Sequence, residues 1–424
     1  MAGLTTLDKN RLESLHTELK NEYEAFKARG LKLDMTRGKP CAEQLDLSRG
    51  MLTCIDETDV YAADGTDCRN YGGLDGIAEV KALFAAYLTV DATKVIIGGN
   101  SSLNLMHDTL MRAMLNGVES TQPPWGSYEK IKFLCPSPGY DRHFAICEYL
   151  GIEMIPVTMD DNGPDMDQVE RVVAGDDTIK GIWCVPRYSN PTGIVYSDQV
   201  VERLAAMRTK AADFRILCDN AYAEHHLTGN PRALKNILDA CQKAGNPDRV
   251  IIFASTSKIS FAGSGIAVMA ASRNNVAFIK KQMEFQTIGP DKLNQLRHIR
   301  FFKDMDGIRR HMRKHAEILK PKFDAVLGVL DERLSNWGVA TWSRPEGGYF
   351  ISIDTPKGCA KKVVGLADEA GVKFTPAGAT FPYGMDPEDQ NIRIAPSFAA
   401  LEDIGTATQL MSICILLAAV ESKM

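Results

Sequence analysis

Val250-Ile251-Ile252-Phe253-Ala254-Ser255-Thr256-Ser257-Lys258 is the stretch from which the fold can be read. Five apolar residues without a break suit a strand buried on both faces, as in a parallel sheet covered by helices. The run then ends on three hydroxyl residues and a lysine. A lysine amine condenses with an aldehyde only when deprotonated, and desolvation or nearby positive charge favours that state. Ser255 and Ser257 could hydrogen-bond a phosphate. Taken alone, Lys258 also fits an ordinary surface lysine at a strand end.

Outward from this stretch the same pattern repeats. Short apolar runs lie at Lys94–Ile97, Ile131–Cys135, Met154–Val157, Ile179–Val185, Arg215–Cys218 and Ile266–Ala271, with helical stretches between them. Strands alternating with helices predict βαβ units and a mostly parallel sheet. Before this region, Asp8–Arg29 spaces Leu12, Leu15, Leu19, Tyr23 and Phe26 as one face of a helix. Leu31–Ser48 reads as extended loop. After it, a long helix is expected over Asp306–Asn336. Strand-like segments at Gly347–Ile353 and Gln390–Ile394 flank a helix at Ala360–Ala370, and a helix from Glu402 closes the chain. The expected class is α/β, with a large domain over 56–305 and a smaller α+β domain built from 1–55 and 306–424. A cleft between two such domains is a usual place for a ligand.

Composition narrows the function classes. The 424 residues exceed the ~100–200 of one domain. A net charge of −5, with acids and bases interspersed, gives no electrostatic case for nucleic acid or a membrane surface. The ten cysteines stand singly, without a CxxC pair or a Cys/His cluster at metal spacing. Buried thiols in a reducing cytosol, and no metal, are the expectation. Met1–Lys20 is polar and carries no signal-peptide core. The apolar run Leu410–Val420 is too short to span a bilayer and reads as a packed helix.

Several residues beside Lys258 carry chemistry. Asp219 ends the run Arg215–Cys218, where the ligand crevice of an open α/β sheet lies. A pyridoxal ring needs a carboxylate beside its pyridine nitrogen to act as an electron sink. Tyr222 and the Asn190 amide could reach the ring hydroxyl. Helix capping for Asp219, and a plain turn for Asn190-Pro191-Thr192-Gly193, are equally open. Gly98-Gly99-Asn100-Ser101-Ser102 precedes a helical stretch and suits a phosphate, through free N–H groups and the helix dipole; a simple cap fits too. Tyr140 could stack on the ring or sit in the core. Arg393 lies on an apolar strand and needs an anionic partner. A substrate carboxylate would serve, and so would an internal ion pair.

The set as a whole resembles the fold-type I pyridoxal phosphate enzymes, specifically the class I aminotransferases. The likeness runs from Arg37 to Ser397, with matching segments in order. They are Tyr71-Gly72-Gly73-Leu74-Asp75-Gly76, Asn190-Pro191-Thr192-Gly193, Asp219 with Tyr222, Ser255 to Lys258, Pro345-Glu346-Gly347-Gly348-Tyr349-Phe350, and Arg393. Thr36-Arg37-Gly38-Lys39-Pro40, Gly99-Asn100-Ser101-Ser102-Leu103 and Gln286-Thr287-Ile288-Gly289-Pro290-Asp291-Lys292 are similar to a bacterial branch, the subgroup Ic aspartate aminotransferases.

The resemblance implies the following roles. Lys258 carries pyridoxal 5′-phosphate and acts as general base. Asp219 pairs with the pyridine nitrogen, and Asn190 and Tyr222 contact the ring hydroxyl. Tyr140 stacks on the ring. Asn100, Ser101, Ser102, Ser255 and Ser257 surround the phosphate, joined by Tyr71 of a second subunit, so that the functional unit is a homodimer. Arg393 holds the substrate α-carboxylate with the backbone of Gly38, and Asn190 lies beside it. Arg37, ahead of Arg142, Lys292 and Arg297, is the leading candidate for reading an acidic side chain. One departure stands out: Ile259 to Ala267 lacks the arginine that the class usually sets against the phosphate. The expected activity is ping-pong transfer of an amino group from L-aspartate to 2-oxoglutarate in the cytoplasm. Alternatives are another aminotransferase specificity (2-aminoadipate, aromatic or kynurenine), a carbon–sulfur lyase on the same fold, or a non-enzymatic sensor. About 35 N-terminal residues are too few for the DNA-binding domain such a sensor would need. A dinucleotide-binding oxidoreductase fails for want of a GxGxxG after the first strand.

Overall fold

The computed structural model describes residues 3–424. Its centre is an eight-stranded sheet in the order Val95–Ile97, Ala267–Ala271, Val250–Ser255, Arg215–Asp219, Ile179–Cys184, Lys132–Ser137, Glu153–Asp160 and Gly163–Pro164. The five strands from Val250–Ser255 to Glu153–Asp160 pair in parallel. The outer pairings are antiparallel, so the sheet is mixed at its edges. Each expected apolar run became one of its strands.

The continuous apolar runs follow from burial on both faces. Alternate side chains of a strand point to opposite sides. Ile182, Ile216, Ile252 and Val268 join a core under the helices that bear Phe84, Leu204 and Leu238. Trp183, Leu217, Ile251, Phe253 and Met269 join a second core with Leu110 and Ile279.

Strand order sets where a ligand can sit. From Lys132–Ser137 the chain steps outward to Glu153–Asp160. It then returns to Ile179–Cys184 on the other side and continues through Arg215–Asp219 to Val250–Ser255. The order therefore reverses between Lys132–Ser137 and Ile179–Cys184. In open α/β sheets the crevice lies at such a reversal, beyond the carboxyl ends of the strands.

A third core gathers Leu19, Tyr23, Phe323, Leu330, Ile353, Val363, Ile392 and Leu410. It covers the antiparallel strands Thr341–Trp342, Ile351–Asp354 and Asn391–Ile394. The N-terminal helix Lys9–Lys27 starts at Asp8, whose carboxylate accepts from Arg11 N at 2.9 Å. It is fastened to the C-terminal part of the chain, with Tyr23 Oη donating to Leu366 O at 2.8 Å. Leu33–Asp34 then pairs with Val372–Lys373. The 30-residue helix Met305–Leu334 buries Ile308 and Met312 in the first core and Phe323 and Leu330 in the third, tying the two together.

Two expectations need correction. Leu31–Ser48 is not loop throughout, because Ala42–Asp46 is a helix of 5 residues. The closing helix starts at Leu401, beside its expected start at Glu402, but its apolar stretch extends beyond Leu410–Val420. Leu401–Glu421 spans 21 residues and is long and apolar enough to cross a membrane by length and composition. Here Leu410, Met411, Ile413, Ile415, Leu416 and Leu417 are buried in the third core. Each such side chain contributes roughly 1.5–3 kcal/mol by leaving water.

Candidate active site

The strand ends deliver the site. Tyr140 follows Lys132–Ser137, Asn190 follows Ile179–Cys184, Asp219 ends its strand, and Lys258 follows Val250–Ser255. All four lie at the crevice that the strand order predicts. Burial lowers the Lys258 amine below its ordinary pKa, and the charge of Asp219 partly opposes this. The Lys258 Nζ stands 5.0 Å from the centre of the Tyr222 ring. The chain thus holds an amine that is more easily neutral than a surface lysine.

Asp219 is 3% exposed. One oxygen, Oδ2, lies 3.2 Å from His143 Nε2. The other, Oδ1, is buried without a partner among the described residues. A buried carboxylate oxygen left bare costs free energy that folding would otherwise avoid. His143 is held in turn, its ring stacked on Trp183 at 4.2 Å and meeting the Tyr140 ring edge-on at 4.9 Å. Burial, with Tyr140 and Asp219 nearby, pushes the Tyr222 hydroxyl well above its ordinary value.

Arg393 sits on Asn391–Ile394, opposite Ser352. Its Nη1 donates to Asp141 Oδ1 at 3.0 Å and to Asn190 Oδ1 at 3.2 Å. The guanidinium lies over the Phe350 ring at 4.9 Å, and its Nε is buried without a partner among the described residues. So the internal ion pair considered from sequence is present, while part of the fork stays unused. Gly38 approaches the same ring so closely that any Cβ there would collide with Phe350.

The expected phosphate seat has the necessary backbone. Ser101 caps the 15-residue helix Ser102–Asn116, and its side chain makes no capping bond. The hydroxyl and the first N–H groups therefore face away from the helix's own hydrogen bonds. Ser255 Oγ donates to Ser257 Oγ at 3.1 Å, and Ser257 Oγ to Asn100 O at 3.2 Å, which joins the two loops. Asn100 Nδ2 is turned to Gly263 O at 3.0 Å.

Other expected residues lie outside this cluster. Arg37 has a side chain 57% exposed and is held by Asp34 at 2.9 Å. Arg142 is exposed. Lys292 donates to Asn70 O and Gly72 O, and so fixes the loop that carries Tyr71. Arg297 is held by Asn294. Tyr71 itself is 82% exposed. Sequence reasoning missed His143 and Asp141. The available signal was Tyr140-Asp141-Arg142-His143, which places His143 one helical turn after Tyr140.

The sequence profile of the aspartate amino-transferase family matches residues 7–424. The chain belongs to this family. It is 49% identical to a putative aminotransferase of Mycolicibacterium smegmatis over 98% of each chain. It is 46% identical to an aspartate aminotransferase of Corynebacterium glutamicum, over 99% of this chain and 97% of that one. The solved structure of an aspartate transaminase from Corynebacterium glutamicum superposes with a TM-score of 0.98, at 45% identity and full coverage of both chains. The α/β, fold-type I expectation and the aminotransferase reading are met.

Pyridoxal phosphate, the cofactor implied by this family, can be tested against the residues themselves. A cationic pyridine needs a buried carboxylate with a free oxygen, and Asp219 Oδ1 is one. An aldehyde needs an amine that is readily neutral, and the desolvated Lys258 is one. A phosphate needs free N–H and hydroxyl donors, and the start of Ser102–Asn116 offers them. The residues fit the group.

Proposed function

We propose that the chain is a pyridoxal-phosphate-dependent aspartate aminotransferase that passes the amino group of L-aspartate to 2-oxoglutarate. The observation that carries this reading is the bare, buried oxygen of Asp219 beside a desolvated Lys258. When bound, the cofactor supplies an electron sink for the charge that develops at the substrate Cα.

This chain's residues supply the rest. Asp219 Oδ1 would hold the positive ring nitrogen, while His143 keeps the carboxylate oriented through Oδ2. Asn190 and Tyr222 would bind the ring hydroxyl, and Tyr140 would cover the ring face. Asn100, Ser101, Ser102, Ser255 and Ser257 would surround the phosphate. Arg393 would bind the substrate α-carboxylate through the part of its fork that Asp141 leaves free, with the Gly38 backbone closing over it. Lys258 Nζ, which burial makes easier to deprotonate, would take the Cα proton and return it later in the half-reaction. Arg37 would read the acidic side chain only by leaving Asp34.

A homodimer is part of this reading. Tyr71, Phe285 and Ile288 are 82%, 93% and 61% exposed. Gly289 abuts Gly72, so Tyr71 and Ile288 share one surface. Exposed apolar patches of this kind mark contact surfaces, and Tyr71 would reach the neighbouring phosphate. A cytoplasmic location fits the ten free cysteines. The test is steady-state turnover with L-aspartate and 2-oxoglutarate. Oxaloacetate and glutamate in equal amounts support the reading. Pyruvate and ammonia formed without an oxo acid would favour the lyase instead.

A further inference from the structure

The carbonyl of Lys258 is held by side chains, and their proton directions can be worked out. Cys41 N–H can only donate, and it meets Gln44 Oε1 at 3.2 Å. That contact fixes which end of the Gln44 amide is oxygen. The Nε2 end then has two hydrogens to give. It lies 2.9 Å from His315 Nδ1 and 3.0 Å from Tyr349 Oη. Tyr349 accepts there, which leaves its own proton for Lys258 O, 3.4 Å away. His225 Nε2 reaches the same carbonyl at 3.2 Å. A carbonyl only accepts, so Nε2 carries a proton; Nδ1 is buried without a partner among the described residues, and burial pushes the ring well below its ordinary pKa.

Gln44 and Tyr349 are both 0% exposed, so water does not compete for these bonds. The chain of donors runs one way, from Cys41 through Gln44 and Tyr349 to Lys258. Its two ends matter. Cys41 closes the segment that carries Gly38, and Gly38 abuts Phe350, the residue after Tyr349. The lysine carbonyl sits in a turn in which Ile259 N and Ser260 N both donate to Thr256 O.

We propose that Gln44 and Tyr349 are positioning residues. They link the N-terminal segment at the substrate side of the cleft to the main chain of Lys258, and so hold the amine where it exchanges protons with the substrate Cα. Neither residue touches the reacting atoms. The inference rests on the reading of Lys258 as the catalytic base.

The test uses the cofactor-loaded enzyme with Tyr349→Phe, Gln44→Met and the double variant. Four quantities are read: kcat, KM for L-aspartate, the isotope effect with Cα-deuterated aspartate, and the pH midpoint of the cofactor absorption band without substrate. Each single variant is expected to lower kcat about five- to tenfold, the worth of one neutral hydrogen bond. KM should move less than about twofold, the isotope effect should rise, and the band midpoint should shift. Because the bonds act in series, the double variant should match the worse single variant within about twofold. Wild-type values of kcat, isotope effect and midpoint in both single variants would overturn the link. So would losses that multiply in the double variant. If Tyr349→Phe does not fold, Gln44→Met reads the same four quantities. A wild-type protein with no cofactor band would instead remove the reading of Lys258, and the link with it.

Discussion

Asp219→Asn removes one charge and almost no volume. In the native chain Oδ2 is engaged by His143 at 3.2 Å and Oδ1 is buried and bare. The asparagine can still meet His143, so the scaffold is kept. What disappears is the charge-assisted hydrogen bond that Oδ1 would make to a cationic ring nitrogen. Hydrogen bonds to charged groups contribute about 1.5–3 kcal/mol, and this one is shielded from water. Cofactor affinity should therefore weaken roughly ten- to 150-fold. The loss in kcat should be at least as large, because the charge matters most as the ring accepts electrons. The assay is titration of the cofactor-free protein with pyridoxal phosphate, followed by absorbance, with kcat measured at saturating cofactor. His143→Ala should move both quantities in the same direction but less, since it frees Oδ2 without removing the charge. If Asp219→Asn kept affinity and kcat within about twofold of wild type, Asp219 would not face the ring nitrogen.

Further predictions follow from neighbouring contacts. Lys258→Ala should retain the fold, seen as an unchanged urea midpoint, and lose turnover; a rate near wild type would take the base away from Lys258. Gly38→Ala should drive a methyl into Phe350, costing about 1–3 kcal/mol in urea unfolding and raising KM for L-aspartate. Wild-type stability and KM would show that the segment yields freely. Stability should also fall in mild acid. His298 and His315 are buried, and burial lowers them to about 4 and about 3 from 6.5. Below pH 6.5 the unfolded chain binds protons that the folded chain refuses. Each histidine then costs about 1.4 kcal/mol per pH unit until its folded value is approached. Urea midpoints at pH 7.5, 5.5 and 4.5 should decline, and a flat series would mean that the rings are protonated in place.

Much of the fold was legible because parallel strands buried on both faces leave unbroken apolar runs. Val250–Ala254 and Ile179–Val185 are of this kind, and each ends where the crevice begins. Lys258, Asp219, Asn190 and Tyr140 could be placed for the same reason, since each follows such a run. Antiparallel edge pairing of Val95–Ile97 with Ala267–Ala271 was not legible, because strand direction depends on partners distant in sequence. Ala42–Asp46 is too short to show a helical period. The closing helix is legible from Glu402, one residue inside its observed start at Leu401. His143 and Asp141 escaped because their significance lies in contacts with Asp219 and Arg393, which only folding brings near. Gln44 and Tyr349 escaped likewise, as two polar groups whose partners lie far along the chain.

On the proposed reading, Lys258 and Asp219 serve a pyridoxal cofactor acting on L-aspartate. The most direct measurement is the absorption spectrum of the purified protein before and after L-aspartate is added with no oxo acid present. The expected result is a band near the visible edge that moves toward the ultraviolet on adding aspartate and returns with 2-oxoglutarate. A band that aspartate leaves unmoved, while another amino acid shifts it, would contradict the substrate. No band at all, even with added pyridoxal phosphate, would mean that Lys258 and Asp219 serve no such cofactor.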